Sequence, residues 1–201
     1  IKQGVIPETI LAITFTNKAA KEMRNRIDKL LAASFKVLVN DGAKPRSLNL
    51  EARSSPWVGT FHALGVHIIR ENSRRLGIPR HFTIFDKSDS LRAMKEAIKQ
   101  AGHDPKNFEP ARILSAVSRE KGDMMTLDGF RERADSEYFP AGVAEIWTEY
   151  EKILRGEKAF DFDDLLLTAA LLLQKDKGVR EQYQRRFQYI HIDEYQDTNR
   201  V

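Results

Sequence analysis

The string Tyr189-Ile-His-Ile-Asp-Glu-Tyr-Gln-Asp197 carries the most pointed chemistry in the chain. A run of β-formers leads straight into Asp193 and Glu194, so two adjacent carboxylates are expected at the carboxyl end of a buried strand. Open parallel sheets bind their ligands at that edge. An acid at a strand end suits Mg²⁺, commonly through water, and its neighbour can polarise an attacking water. Three further strings sit at the same kind of junction. Ile13-Thr-Phe-Thr-Asn-Lys-Ala-Ala20 sets a strand end against a helix start. Free backbone N–H groups and the positive end of the helix dipole favour a phosphate there. Phe15 offers a ring on which a base can stack. Gly59-Thr-Phe-His62 repeats the junction, with Thr60 able to bond a phosphate and His62 able to stack or bond. Phe160-Asp-Phe-Asp-Asp-Leu165 groups three acids at a helix N-terminus, where the dipole alone accounts for them. Taken singly, Phe15 also reads as a core residue and His62 as a structural one.

The elements that must position these residues can be read from periodicity. Ile10–Phe15 is a continuous run of β-formers, as in a strand buried on both faces. Ala19, Met23, Ile27 and Leu30 then recur at helical spacing. Residues 34–55 lose that spacing and contain Asn40-Asp-Gly42 and Ser54-Ser-Pro56, which predicts a long loop. Trp57–Phe61 reads as a second short strand running into a helix stopped by Gly77 and Pro79. Beyond residue 82 the pattern turns helical. Asp86 or Ser88 caps a helix over 89–101, Pro110 starts one to about Lys121, and Thr126 caps a short one. Pro140 opens a long helix to Leu154, Asp161 caps a leucine-rich helix to about Gln174, and a last helix covers roughly 178–186. Nothing between about 88 and 186 reads as an ordinary strand. Phe187–Ile192 then returns to strand, so a strand-helix core is interrupted by helices and resumes.

Composition sets the outer limits. The 201 residues are 41% apolar and 31% charged, enough to bury a core. The chain holds no cysteine, which excludes a disulfide scaffold, a cysteine nucleophile and thiolate metal sites, and fits a reducing cytoplasmic setting. The longest greasy run, Leu165–Leu173, is nine residues, against about 20 for a membrane span. The net charge of +4 is uneven: residues 1–80 hold 14 Lys/Arg against 6 Asp/Glu, and residues 81–201 hold 19 against 23. A basic first part points to a polyanion such as nucleic acid, although a solvated helix face has the same composition. The chain starts on Ile1 rather than Met and stops at Val201 just after a charged motif, and it reads as a fragment.

Taken together, ITFTNKAAKEM, GTFHALGVHIIRE, FDFDDLL and YIHIDEYQDTNR, in this order and spacing, resemble the UvrD/Rep/PcrA family of superfamily 1 DNA helicases. The resemblance covers nearly the whole chain. It implies an α/β fold, a RecA-like P-loop NTPase core with a partial parallel sheet and a large all-helical inserted subdomain. Residues 1–81 would begin the motor domain called 1A, residues 82–186 form the insertion 1B, and residues 187–201 return to 1A. The implied activity is ATP-dependent 3′ to 5′ movement on single-stranded DNA with unwinding of duplex, in repair or replication, using ATP and Mg²⁺. By match to the family motifs, Asp193 is the Mg²⁺ ligand and Glu194 the general base, with Gln196 beside the nucleotide. Phe15, Thr16, Asn17 and Lys18 form a first DNA contact, Thr60, Phe61 and His62 a second, and Asp163 belongs to a further one. The implied partners are single-stranded DNA, single/double-strand junctions and the remaining helicase domains, with no membrane. The sequence departs from the family pattern in two respects: residues 34–55 are longer than expected between the first two DNA motifs, as an insertion or a loop touching DNA beside the track, and none of its eleven glycines is followed by Lys, so it contains no phosphate-cradling G-K-[ST]. The chain on its own is therefore expected to be inactive. Two other parents are compatible with the motifs, a helicase–nuclease of the AddA/RecB type and a degenerate DNA-binding module without ATPase.

Overall fold

The computed structural model describes residues 5–40, 55–134 and 138–197. They form two compact units. One joins two separate stretches, Ile1–Leu64 and Asp176–Thr198, and the other is Gly65–Lys175.

The first unit is a small parallel sheet with flanking helices. Strand β1 (Ile10–Thr14) leads through a two-residue turn into α1 (Asn17–Asn40). Strand β2 (Trp57–Thr60) runs without a break into α2 (Phe61–Glu71). The last strand of the unit, labelled β5 below, is Tyr189–Ile192. The sheet order places β1 in the middle, with β2 on one side and β5 on the other, all parallel. Thr14 lies opposite Thr60 and Ile13 opposite Ile192. Strand β1 is buried throughout from Leu11 to Thr14, as its unbroken apolar run requires. Residues 34–40, expected as loop, continue α1 in the structure. Phe35, Val37, Leu38 and Val39 keep the stretch free of Gly and Pro, so no local signal stops the helix before Asn40-Asp-Gly42. The rest of the expected loop, 41–54, lies outside the described residues.

The second unit is mainly helical. Its elements are α3 (Ser73–Leu76), β3 (Thr83–Ile84), α4 (Lys87–Gln100), α5 (Pro110–Gly122), α6 (Leu127–Arg133), α7 (Tyr138–Gly156), β4 (Ala159–Phe160) and α8 (Phe162–Lys175). Helix α9 (Lys177–Arg186) and β5 follow, in the first unit. The expected stops at Gly77 and Pro79 are preceded by a break at Asn72, whose backbone N–H and side-chain amide both donate to the Ile68 carbonyl, at 3.1 and 2.9 Å. Asp86 caps α4 in a full capping box with Asp89, and Thr126 caps α6. The core is the meeting of α4 and α7: Ala93, Met94, Ala97 and Ile98 against Val143, Ile146, Trp147 and Tyr150. Both sets recur at the three-to-four spacing of one helix face. A strand does occur where none was expected: β4 pairs in parallel with β3 through Thr83–Ala159 and Ile84–Phe160. Two residues are too few to show a periodicity of two, so the sequence carried no trace of it.

The compact units divide between Leu64 and Gly65 and between Lys175 and Asp176. Gly65 explains the first. A Cβ there would stand 2.6 Å from the Leu165 carbonyl oxygen, so α2 and α8 approach backbone to backbone at this one residue. Helix α9 joins the first unit because it packs on the turn at Pro7–Thr9, with Val179 and Tyr183 buried.

Candidate functional site

The parallel register of β2, β1 and β5 brings three of the four motifs to one edge of the sheet. Since Thr14 faces Thr60 and Ile13 faces Ile192, the residues that follow each strand leave at the same carboxyl end. The Asp193 N–H donates to the Ile13 carbonyl at 2.9 Å, extending the ladder one residue past β5. Asp193 and Glu194 therefore leave the sheet at the same edge as Phe15. Both acids are exposed. Glu194 adopts a left-handed backbone, φ 51°, a conformation uncommon for a residue with a side chain. It turns the chain sharply off the strand, and the Gln196 side-chain amide donates to the Glu194 carboxylate.

Phe15 is 39% exposed, and its ring lies 5.4 Å from that of Phe61, tilted by 59°. The two aromatics, one from each strand-to-helix junction, thus form a partly open pair at the edge. The threonines have local tasks. Thr16 Oγ accepts from the Ala19 N–H at 3.1 Å and Thr60 Oγ accepts from the Ala63 N–H at 3.2 Å. Each caps the helix that begins beside it, and caps of this kind stabilise a helix by about 1 kcal/mol. Asn17 and Lys18 are exposed in the first turn of α1, and His62 is half-buried in the first turn of α2.

Strand β5 differs from expectation. The sequence predicts a buried strand, yet Tyr189 and Ile190 are 45% and 59% exposed. Among the described residues β5 is an edge strand with a neighbour only on the β1 side, so its side chains lack the cover that a central strand receives.

The fourth motif belongs to the second unit, and its acids face inward. Lys121 of α5 is 1% exposed and reaches Asp161 at 2.9 Å, Asp164 at 2.6 Å and Glu151 at 3.1 Å. The Tyr150 hydroxyl donates to the same Asp161 oxygen at 3.1 Å. Asp161 also accepts from the Asp164 N–H at 2.7 Å, capping α8 as expected. Burial pushes the Asp164 carboxyl up to about 8. Burial acts the same way on Asp161, but the Lys121 ammonium outweighs it and holds that carboxyl below its usual range. The three carboxylates in turn keep Lys121 charged, well above the ordinary lysine value despite its burial. Burial raises Tyr150 as well, with the Asp161 charge adding to it. Of this motif, Asp163 is half-buried and Phe162 is 48% exposed. Lys121 was not singled out from sequence. The signal was present: Ile113, Val117 and Lys121 fall at four-residue steps, which sets a lysine on the core-facing stripe of α5.

The capacity for a metal can be judged from the donors. Asp193 and Glu194 offer hard oxygen ligands at the strand end, and no group of three or more His, Cys, Asp or Glu that could hold a metal occurs among the described residues. An ion held by one or two protein oxygens, completing its shell with water and phosphate, is the habit of Mg²⁺. No helix among the described residues is long and apolar enough to cross a membrane.

Comparison with known proteins gives the family. The family model described as UvrD/REP helicase N-terminal domain matches residues 1–201. Among curated relatives, the ATP-dependent DNA helicase PcrA of Bacillus subtilis is 39% identical over 200 residues, covering 100% of this chain and 24% of the relative. The protein of the same name from Staphylococcus aureus is 38% identical over 201 residues, covering 100% of this chain and 25% of the relative. That from Staphylococcus epidermidis is 37% identical over 200 residues, covering 100% and 25%. The chain thus spans about a quarter of the length of the curated relatives it matches.

Proposed function

The chain belongs to the UvrD/REP helicase N-terminal domain family, and from that premise we propose that it is the part of an ATP-dependent DNA helicase that joins the hydrolytic acids to the single-strand track. The observation that carries this reading is the shared sheet edge: Asp193 is hydrogen-bonded to Ile13, two residues from Phe15. A change at the nucleotide is felt at once where the DNA lies. In this reading residues 1–81 and 187–201 belong to motor domain 1A and residues 82–186 to insertion 1B. The intact protein moves 3′ to 5′ along single-stranded DNA and opens duplex at single/double-strand junctions.

Asp193 would hold Mg²⁺, which when bound neutralises phosphate charge on ATP. Glu194, turned off the strand by its left-handed backbone, takes the proton of the attacking water. Gln196 donates to the Glu194 carboxylate and fixes its direction. Phe15 and Phe61 present ring faces to bases, while the first turns of α1 and α2 offer N–H groups to phosphates. The sequence contains no G-K-[ST], so the β- and γ-phosphate ligands are not among these residues, and the chain alone should hydrolyse no ATP. Glu194→Gln in the intact protein tests the assignment. Turnover should fall steeply while ATP binding persists, because a general base acts mainly in the transition state. Near-normal turnover would remove Glu194 from this role.

A further inference from the structure

On one side of the first unit, α1 and β2 enclose a groove of about 420 Å³. Trp57 forms one wall. Its indole lies across β2 over Gly59, where a Cβ would stand 2.6 Å from ring carbon Cη2. Any side chain at position 59 would have to displace the ring. Lys21 and Arg24 line the groove from successive turns of α1. The Arg24 guanidinium is held there by one bond, Nη2 donating to the Val58 carbonyl at 2.6 Å, which leaves most of its five donors unspent on that contact. No carboxylate lines the groove among the described residues. Two cations, no acid and an indole together select an anion that carries a flat ring. Asn17 and Thr60 complete the lining at the end nearest the sheet edge, and both belong to the motifs that leave that edge.

We propose that this groove is a nucleotide subsite, taking one base against Trp57 and the adjoining phosphate against Lys21 and Arg24. It rests on the reading of the sheet edge as a DNA track and extends that track from the strand tops to the flank of β2. The ligand is a nucleotide within a strand rather than a free one, because Asn17 and Thr60 line both the groove and the edge and so make the two continuous.

Titration of the intact protein with a fluorescent oligothymidine tests this. Trp57→Leu should weaken binding by about 5- to 150-fold, the equivalent of one lost base stack, with the dependence on salt unchanged. Trp57→Phe should recover most of the affinity. Lys21→Gln, on the exposed surface of α1, should lower the slope of log affinity against log salt by about one unit. Thymidine monophosphate should compete only at far higher concentration. Unchanged affinity in a Trp57→Leu protein that melts normally overturns the subsite. An unchanged salt slope in Lys21→Gln does so too, which keeps the test decisive if the Trp57 variant fails to fold. Equal affinity for the mononucleotide overturns the assignment to a strand. A wild-type protein that binds no oligothymidine overturns the DNA reading itself and the subsite with it, whereas loss confined to the variants supports both.

Discussion

The ammonium of Lys121 lies 2.6 Å from a carboxylate oxygen of Asp164, and only 1% of the lysine side chain reaches solvent. The pair ties the end of α5 to the first turn of α8, and Glu151 adds a contact from α7. A lysine so buried is held by its partners rather than by water. Removing it leaves three acidic side chains facing one another with no cation, in a region of low dielectric.

Lys121→Met should therefore destabilise the protein by roughly 3–5 kcal/mol, the usual cost of stranding buried charge. Thermal melting followed by circular dichroism checks this. A change below about 1 kcal/mol would mean that the cluster contributes little. Lys121→Met combined with Asp161→Asn and Asp164→Asn should recover part of the loss, since charge is removed from both sides.

Asp164 gives the cluster a pH dependence. Its folded pKa is raised to about 8 by burial, against about 3.9 for an unfolded aspartate. Between those values the folded state binds a proton that the unfolded state has released, so this group's contribution falls as pH rises from about 4 to about 8. Asp161 works in the opposite sense, because its pKa is lowered; its contribution is present above about 4 and lost as pH falls through its folded value. Asp164→Asn should thus gain in melting temperature relative to wild type as pH rises from 5 to 8. A constant difference across that range would contradict the raised value.

Gly65→Ala should destabilise by about 1–3 kcal/mol, as overpacking does. The new Cβ would meet the Leu165 carbonyl oxygen at 2.6 Å, and a backbone carbonyl inside α8 cannot move aside as a flexible side chain can. A melt indistinguishable from wild type would show that α2 and α8 separate readily.

Phe15→Ala separates stacking from core packing. With 39% of the residue exposed, the loss of stability should fall short of the roughly 3–5 kcal/mol of a fully buried aromatic. The intact protein should lose on the order of 1–3 kcal/mol of single-strand affinity, with its salt dependence nearly unchanged. A large drop in melting temperature with normal affinity in the folded fraction would return Phe15 to the core.

The sequence by itself determined the order of elements and the junctions at which chemistry is placed. Apolar runs of β-formers, helical spacing and caps such as Asp86 and Thr126 act between residues close in the chain, so they are legible without any fold. The four motifs were legible for the same reason, each being a contiguous string. Where such local signals were short or missing, the reading went astray: α1 ran on to Asn40, and the two residues of β4 left no pattern. Only the tertiary structure decided which strands are neighbours. The register of β1 with β2 and β5 brings Asp193 to the same sheet edge as Phe15, although they are 178 positions apart in sequence. It also decided where Asp161 and Asp164 point, because their partner Lys121 lies 40 and 43 residues away on another helix. Charge attracts through space and not along the chain, and a carboxylate at a helix start reads the same in sequence whether it faces water, a phosphate or a buried lysine.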